Sequence, residues 1–207
     1  HDSLGHFPPG FKDARWDANS AALTSASSST SAHAHLLSYM EQTTVAELVR
    51  FDQPYMNTSD PALDFNERAR MTQVPVFLCP SDPDELPELE GGRNNYYANQ
   101  GTSLLHGLPP TDPSDPNFGF PKPNGIFYLN SRVKFRDIVD GTTYTAAFCE
   151  KNKGDGSNAI VTEESDTFQP GTNPETLDEA VADCAACDIY DLTKQRISNV
   201  GVPWLRA

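Results

Sequence analysis

NGIFYLNSRVKFRDIVDGTTYTAAFCE, residues Asn124–Glu150, is the stretch whose reading decides the fold. Two runs within it, Gly125–Leu129 and Tyr144–Cys149, are rich in aromatic, β-branched and small apolar residues and predict strands. Between them, Asp140-Gly141 marks a turn, because glycine accepts positive φ and aspartate can bond back to its own backbone. Two apolar strands about a sharp turn predict the core of a sheet, and the stretch displays no reaction chemistry.

The totals bound the rest. A chain of 207 residues suits a single globular domain spanning 1–207, large enough to bury a core without a metal or a disulfide. Seventeen Pro and 13 Gly predict short elements joined by long loops. A formal charge of −14 argues against nucleic acid and anionic lipid as partners, since both demand a basic face. Much of the acid lies in Lys151–Asp191, where ten Asp and Glu face two Lys, and that segment reads as a solvated face. No apolar run approaches the ~18 residues of a membrane helix. The chain starts at His1 and not at Met, so the lack of a targeting segment says nothing about the native gene.

Working outward toward the N-terminus, Asn94–Asn99 (NNYYAN) and Val74–Cys79 (VPVFLC) predict two further strands, the second with Pro75 near its start. An early helix starts at Thr30 or Ser31 with Leu36, Leu37 and Met40 on its apolar side. Thr44-x-x-Glu47 reads as a capping box that opens a second helix. Asp60 and Pro61 read as N-cap and first turn of a third, running to about Met71. Asn19–Ser31 is a low-complexity loop, and Thr102–Pro123 a long one rich in Pro, Gly and Asp. Toward the C-terminus, Ala159–Thr162 is a strand candidate. Asn173, Pro174 and Glu175 open the clearest helix, with Leu177, Ala180, Val181, Cys184 and Cys187 on one face. Early helices followed by short strands predict an α+β fold, its helices packed on a mostly antiparallel sheet with long loops.

Candidate sites follow from residue types and spacing. Cys184-Ala-Ala-Cys187 lacks the second CxxC or paired histidines of a zinc site. It closes a helix, whereas a redox pair opens one. Structural disulfides fit an exported protein better. Cys79 and Cys149 end predicted strands while Cys184 and Cys187 share a helix face, so two bridges from helix to sheet are expected, with the pairing open and no thiol left free. Each would contribute ~2–4 kcal/mol. For calcium, the one cofactor considered, the oxygen-rich turns offer Asp82, Asp84 and Asp155, and above all Asp137, Asp140 and Glu150, none at EF-hand spacing. His1, His6 and His106 stand in loops, and His33 and His35 point to different sides of a helix, so no shared metal is expected of them. Tyr96, Tyr97, Phe118, Phe120 or Trp204 could stack on a sugar ring, although Trp204 reads first as a packing residue. No hydrolase, metalloprotease, phosphate-loop or dinucleotide motif is present, so no catalytic residue is assigned and no enzyme is expected.

Several motifs then line up. HDSLGHFPPG, SAHAHLLSYMEQ, FLCPSDP, NNYYANQG, NGIFYLNS, RDIVDGTTYTAAFCEK, GDGSN and GVPWLRA, in that order, resemble the planctomycete-type prepilin-like family of unknown function, which also carries a bacterial solute-binding-protein label. The resemblance spans nearly the whole chain, and FLCPSDP and RDIVDGTT are its most specific pieces. It implies a pilin-like fold in which an N-terminal helix packs on an antiparallel sheet with inserted loops. It also implies that a prepilin leader and a hydrophobic helix precede His1 and that a tail follows the Trp204 region. The chain would then be the soluble middle of a longer protein, reaching a membrane and other pilin-like subunits only through that helix. Cys149 and Cys187 both depart from the family's usual residues, which implies the pairs Cys149–Cys187 and Cys79–Cys184. The Asp137–Thr142 turn becomes a structural signature, with calcium as the lesser reading. The function implied is an exported, non-catalytic pilin- or pseudopilin-like assembly subunit at the cell surface, in the periplasm or secreted. The alternative is an extracellular binding module for a carbohydrate or another small solute.

Overall fold

Ser29–Leu37 draws the chain together in the computed structural model, which describes residues 5–13, 29–53, 55–56, 61–82, 86, 91–105, 107–196, 198 and 200–206. Ser29–Ser31 is a strand, β2, paired antiparallel with β1 (Phe11–Asp13) in the register Phe11↔Ser31, Lys12↔Thr30, Asp13↔Ser29. The chain then turns directly into helix α1, Ala32–Leu36, prolonged by a 3-10 turn over Leu37–Met40. Glu41, at φ 60°, ends that turn. Ala32, His33, Ala34 and Leu37 are all buried. Two alanines let neighbouring segments approach the helix closely, and they allow one short element to serve two cores.

The larger core gathers Ala34, Leu37, Val49, Tyr55, Ala69, Val74, Phe77, Trp204 and Leu205. Helices α2 (Thr43–Ala46) and α3 (Glu67–Met71) lie around it. Trp204 is its keystone. The indole is 1% exposed and its Nε1–H donates to the Thr72 carbonyl at 2.8 Å. Its backbone N–H donates to Gly92, and its carbonyl accepts from Ser31 Oγ at 2.7 Å. The smaller core holds Ala32, Ile126 and Phe127, with Phe7, Ala98, Val133, Ile138, Ala147 and Phe148 packed on it. Above it, β3 (Tyr96–Ala98) pairs antiparallel with β4 (Phe148–Glu150), Tyr97 opposite Cys149. The fold is α+β, with two separate two-stranded antiparallel sheets and short helices among the described residues.

Only the first run of the opening stretch is buried as expected, and it is not a ladder; most of residues 132–150 are exposed or half-buried. Ile126, Phe127 and Leu129 are core residues. Their segment runs beside residues 99–101 instead, with Gly125 N–H on the Gln100 carbonyl and Phe127 N–H on that of Asn99. A Cβ on Gly125 would stand 2.3 Å from the Gln100 carbonyl carbon, so only glycine permits this approach. Leu129 adds one parallel bridge to Phe11, and Asn130, at φ 53°, ends the run. Of Tyr144–Cys149, only Phe148 and Cys149 fall in a strand; Thr142–Tyr144 is a 3-10 turn that leaves Tyr144 exposed.

Other expectations are corrected by the packing. Val74–Cys79 contains a 3-10 turn, Pro75–Phe77, and no strand. Val74 and Phe77 are buried while Val76 is exposed, because residues three apart eclipse on such a turn. Ala159–Thr162 forms no strand, and Ile160 faces solvent. The third helix is split into Pro61–Leu63 and α3, since Asn66 leaves the helix to bond both backbone groups of Arg50. Its expected cap, Asp60, lies outside the described residues, as do His1, His106, Asp84 and Asn19–Ser28. Thr44 lies inside α2 and caps nothing; the N-cap position is Gln42. The late helix, α4, is Leu177–Ala185 and is capped by Thr176, whose Oγ1 accepts from Glu179 N–H at 3.2 Å. No residue of α4 is buried. That removes the premise of a helix docked on the sheet, and Cys79, Cys149, Cys184 and Cys187 are all free thiols. Neither expected bridge is formed in this structure.

Candidate functional site

Where α1, β3 and the C-terminal segment meet, they enclose a cavity of about 780 Å³. Its apolar wall is Phe11, Ala32, Ala98, Phe127, Val202 and Pro203. His33, Tyr97 and Gln195 are among its polar lining residues, and Arg196 and Arg206, both exposed, also border it. Gly201, at φ 92°, brings the C-terminal segment against β3: a Cβ there would stand 2.5 Å from the Asn94 carbonyl and 3.3 Å from the Tyr97 hydroxyl.

His33 is held between the two cores. Its ring meets Phe77 of the larger core edge-on at 4.8 Å and Phe148 of the smaller at 5.7 Å. Burial lowers its pKa to about 4, against the opposing pull of a hydrogen bond with the Tyr96 backbone. The imidazole is therefore neutral at neutral pH. Nε2 has no partner. Tyr97 also has a buried, unpartnered hydroxyl, and burial, with Cys149 and Asp82 behind it, raises its pKa and keeps it protonated.

Gln195 is fixed by its amide nitrogen, which donates to the carbonyls of Ser157 and Ile160 at 3.2 Å and to Asp166 Oδ2 at 2.7 Å. Asp166 in turn accepts from Thr162 N–H and from Ser198 Oγ. Gln195 Oε1 is left with no partner. The other amides bordering the cavity are engaged: Asn94 holds both backbone groups of Tyr96, Gln100 donates to the Leu105 carbonyl, and Asn158 spans Arg196 and Ser198. Three residues bordering the cavity thus each keep a buried polar atom without a protein partner: a neutral ring nitrogen, an amide oxygen and a hydroxyl. Three unsatisfied buried groups cost about 1–3 kcal/mol each, a deficit that a bound molecule carrying hydrogen-bond donors can offset.

The residues singled out from sequence are dispersed. Trp204 is core and offers no face to a ligand. Tyr97 borders the cavity, while the neighbouring Tyr96 does not, since alternate strand residues face opposite ways. Phe118 and Phe120 sit on the 107–123 loop, the first exposed. Asp137 Oδ2 accepts from Lys134 N–H and so caps a 3-10 turn, and Asp140 and Glu150 are exposed. Among the described residues no three His, Cys, Asp or Glu side chains group to hold a metal, and Asp82 and Asp155 are engaged in protein hydrogen bonds. No helix among them is long and apolar enough to cross a membrane. His33, Gln195, Arg196 and Arg206 were not singled out as ligand-binding residues, because three well-separated parts of the sequence meet only in the fold.

Comparison with known proteins is sparse. No curated protein and no solved structure matches the chain. One family model matches residues 1–199, nearly its whole length. The chain belongs to that family, SBP_bac_10, described as a protein of unknown function (DUF1559).

Proposed function

We propose that the chain is a non-catalytic binding module for a small hydroxylated solute, working outside the cytoplasm. The single observation behind this reading is a cavity of about 780 Å³ bordered by His33, Tyr97 and Gln195, each of which keeps a buried polar atom (Nε2, Oη and Oε1) without a protein partner. Its volume falls in the range of small-molecule sites, which are mostly apolar with a few placed polar groups. Two acceptors and one hydroxyl favour a ligand rich in O–H donors, and the Phe127 and Pro203 side suits the apolar face of a sugar ring. A thermal-shift panel of monosaccharides and polyols, followed by calorimetry, tests this. A member of the panel should raise Tm, and Tyr97→Phe should weaken its binding about tenfold by removing one hydrogen bond. An inert panel, or a hit indifferent to Tyr97→Phe, would overturn the reading.

The second reading is an exported pilin-like assembly subunit. The observation that favours it is apolar exposure on the 135–144 segment, where Val139 is 89% and Tyr144 87% exposed beside a half-exposed Phe135. Such surface marks contact sites more often than solvated faces. Electron microscopy of the full-length protein should then show filaments that Val139→Asp abolishes; dispersed particles from the unmutated protein would count against assembly.

A further inference from the structure

Three polar side chains outside the cavity make a closed group. Lys153 Nζ lies 2.6 Å from Asp82 Oδ2 and 3.3 Å from Asn95 Oδ1. The lysine and aspartate side chains are 2% and 5% exposed, and Asn95 is fully buried. The orientation of the Asn95 amide is fixed by its surroundings. Nδ2 donates to Asp82 Oδ2 at 2.5 Å and to the Lys151 carbonyl at 3.0 Å, whereas Oδ1 accepts the Cys79 N–H at 3.0 Å. One carboxylate oxygen therefore touches both an amine and the nitrogen of an amide, while a backbone N–H holds that amide's oxygen.

These are the parts of an acyl transfer: a desolvated amine as nucleophile, a carboxylate as proton carrier, and a donor placed where negative charge develops. We propose that Lys153 and Asn95 condense into an intramolecular isopeptide bond, with Asp82 carrying the protons. Asp82 Oδ2 takes a proton from the Lys153 ammonium. The Nζ lone pair attacks Asn95 Cγ, and the carbonyl electrons move to Oδ1, held by the Cys79 N–H. Asp82 then returns the proton to Nδ2. The Cγ–Nδ2 bond breaks, ammonia leaves, and Nζ gives its surplus proton back to Asp82. The products are a secondary amide, ammonia and a neutral carboxyl, so the charges of the starting ion pair cancel and no oxidant or cofactor is consumed. The direction is favourable on two grounds. Ammonia escapes to solvent, and a buried ion pair, which is expensive to desolvate, gives way to a neutral amide.

The group also joins three stretches of chain that are far apart in sequence: the loop after Phe77, the start of β3, and the segment after β4. A covalent tie there would lock the β3–β4 pair at its Tyr96–Glu150 end.

Intact mass of the purified, folded protein tests the proposal. The measured value should fall below the sequence mass by one ammonia, and digestion should release a branched peptide linking the Asn95 and Lys153 fragments. Lys153→Arg, which keeps the charge, and Asp82→Asn should both restore the uncyclised mass. Because Asp82→Asn also removes the buried charge partner of Lys153, Lys153→Arg and the unmutated chain carry the decision. A folded protein at its full sequence mass after prolonged incubation overturns the proposal. So does loss of ammonia without the branched peptide, which would report a succinimide, and so does loss of water, which would place the bond on Asp82.

Discussion

The α1–Trp204 core and the α4 segment are built in opposite ways. Around Trp204 almost nothing is regular: a five-residue helix, a 3-10 turn at Pro75–Phe77 and the segment 202–205, which turns at Trp204–Leu205, interlock. Yet Leu37, Val74, Trp204 and Leu205 are buried completely or nearly so. At α4 the local signals are strong, with an N-cap, acids in the first turn and an apolar face, and no residue is buried. Val181 is 62% exposed on that apolar face. Local propensity forms a helix; it does not dock one. Stability in this chain comes from where distant segments meet.

That contrast predicts a graded set of mutational effects. Trp204→Ala should cost about 3–5 kcal/mol, since it opens a large cavity and orphans the Thr72 carbonyl. Denaturant unfolding checks it, and a loss below about 1 kcal/mol would mean the C-terminal segment is dispensable to the core. An acid dependence should come next. The pKa of His33 falls from 6.5 in the unfolded chain to about 4 in the fold, so between those values only the unfolded state takes up the proton. Stability should therefore decline as pH falls from 6.5 toward 4 and level off below, by an amount on the order of 3 kcal/mol at most. Comparing unfolding free energies at pH 7.5 and 4.5 for the protein and for His33→Gln isolates the effect; an equal decline in both would remove His33 as its cause. Thr176→Ala should fray α4 at a local cost of about 1 kcal/mol, visible in amide exchange over 177–180 and barely in global unfolding. A global loss above that figure would show α4 to be docked after all.

What could be read in the sequence follows the same division. β3 was legible because the adjacent Tyr96 and Tyr97 favour a strand and the segment pairs simply. The burial of Ile126–Leu129 was legible from composition, its geometry was not, because the close approach at Gly125 depends on Gln100. In VPVFLC the apolar content outweighed Pro75, although a proline at the first turn position fits the 3-10 turn that forms. Two N-cap signals compete before α4, and Thr176 prevails over Asn173 because its hydroxyl reaches Glu179 N–H. For the candidate site, Tyr97 was within reach of inspection. Gln195 was not: its role depends on three acceptors that consume its amide nitrogen and leave its oxygen without a partner.

The pairing of Ser31 with Trp204 has a kinetic consequence. Their side chain–backbone bond spans 173 positions, and Ser31 N–H also bonds the Leu205 carbonyl. The larger core therefore lacks its keystone until nearly all of these residues are available, whatever order they emerge in. A chain delivered from its N-terminus would hold α1 with Leu37 and Val74 uncovered for most of its synthesis. High contact order slows closure of such a core, and the waiting apolar surface invites association in the interval. Expression and handling of this protein should depend on that late event more than on the stability of the finished fold.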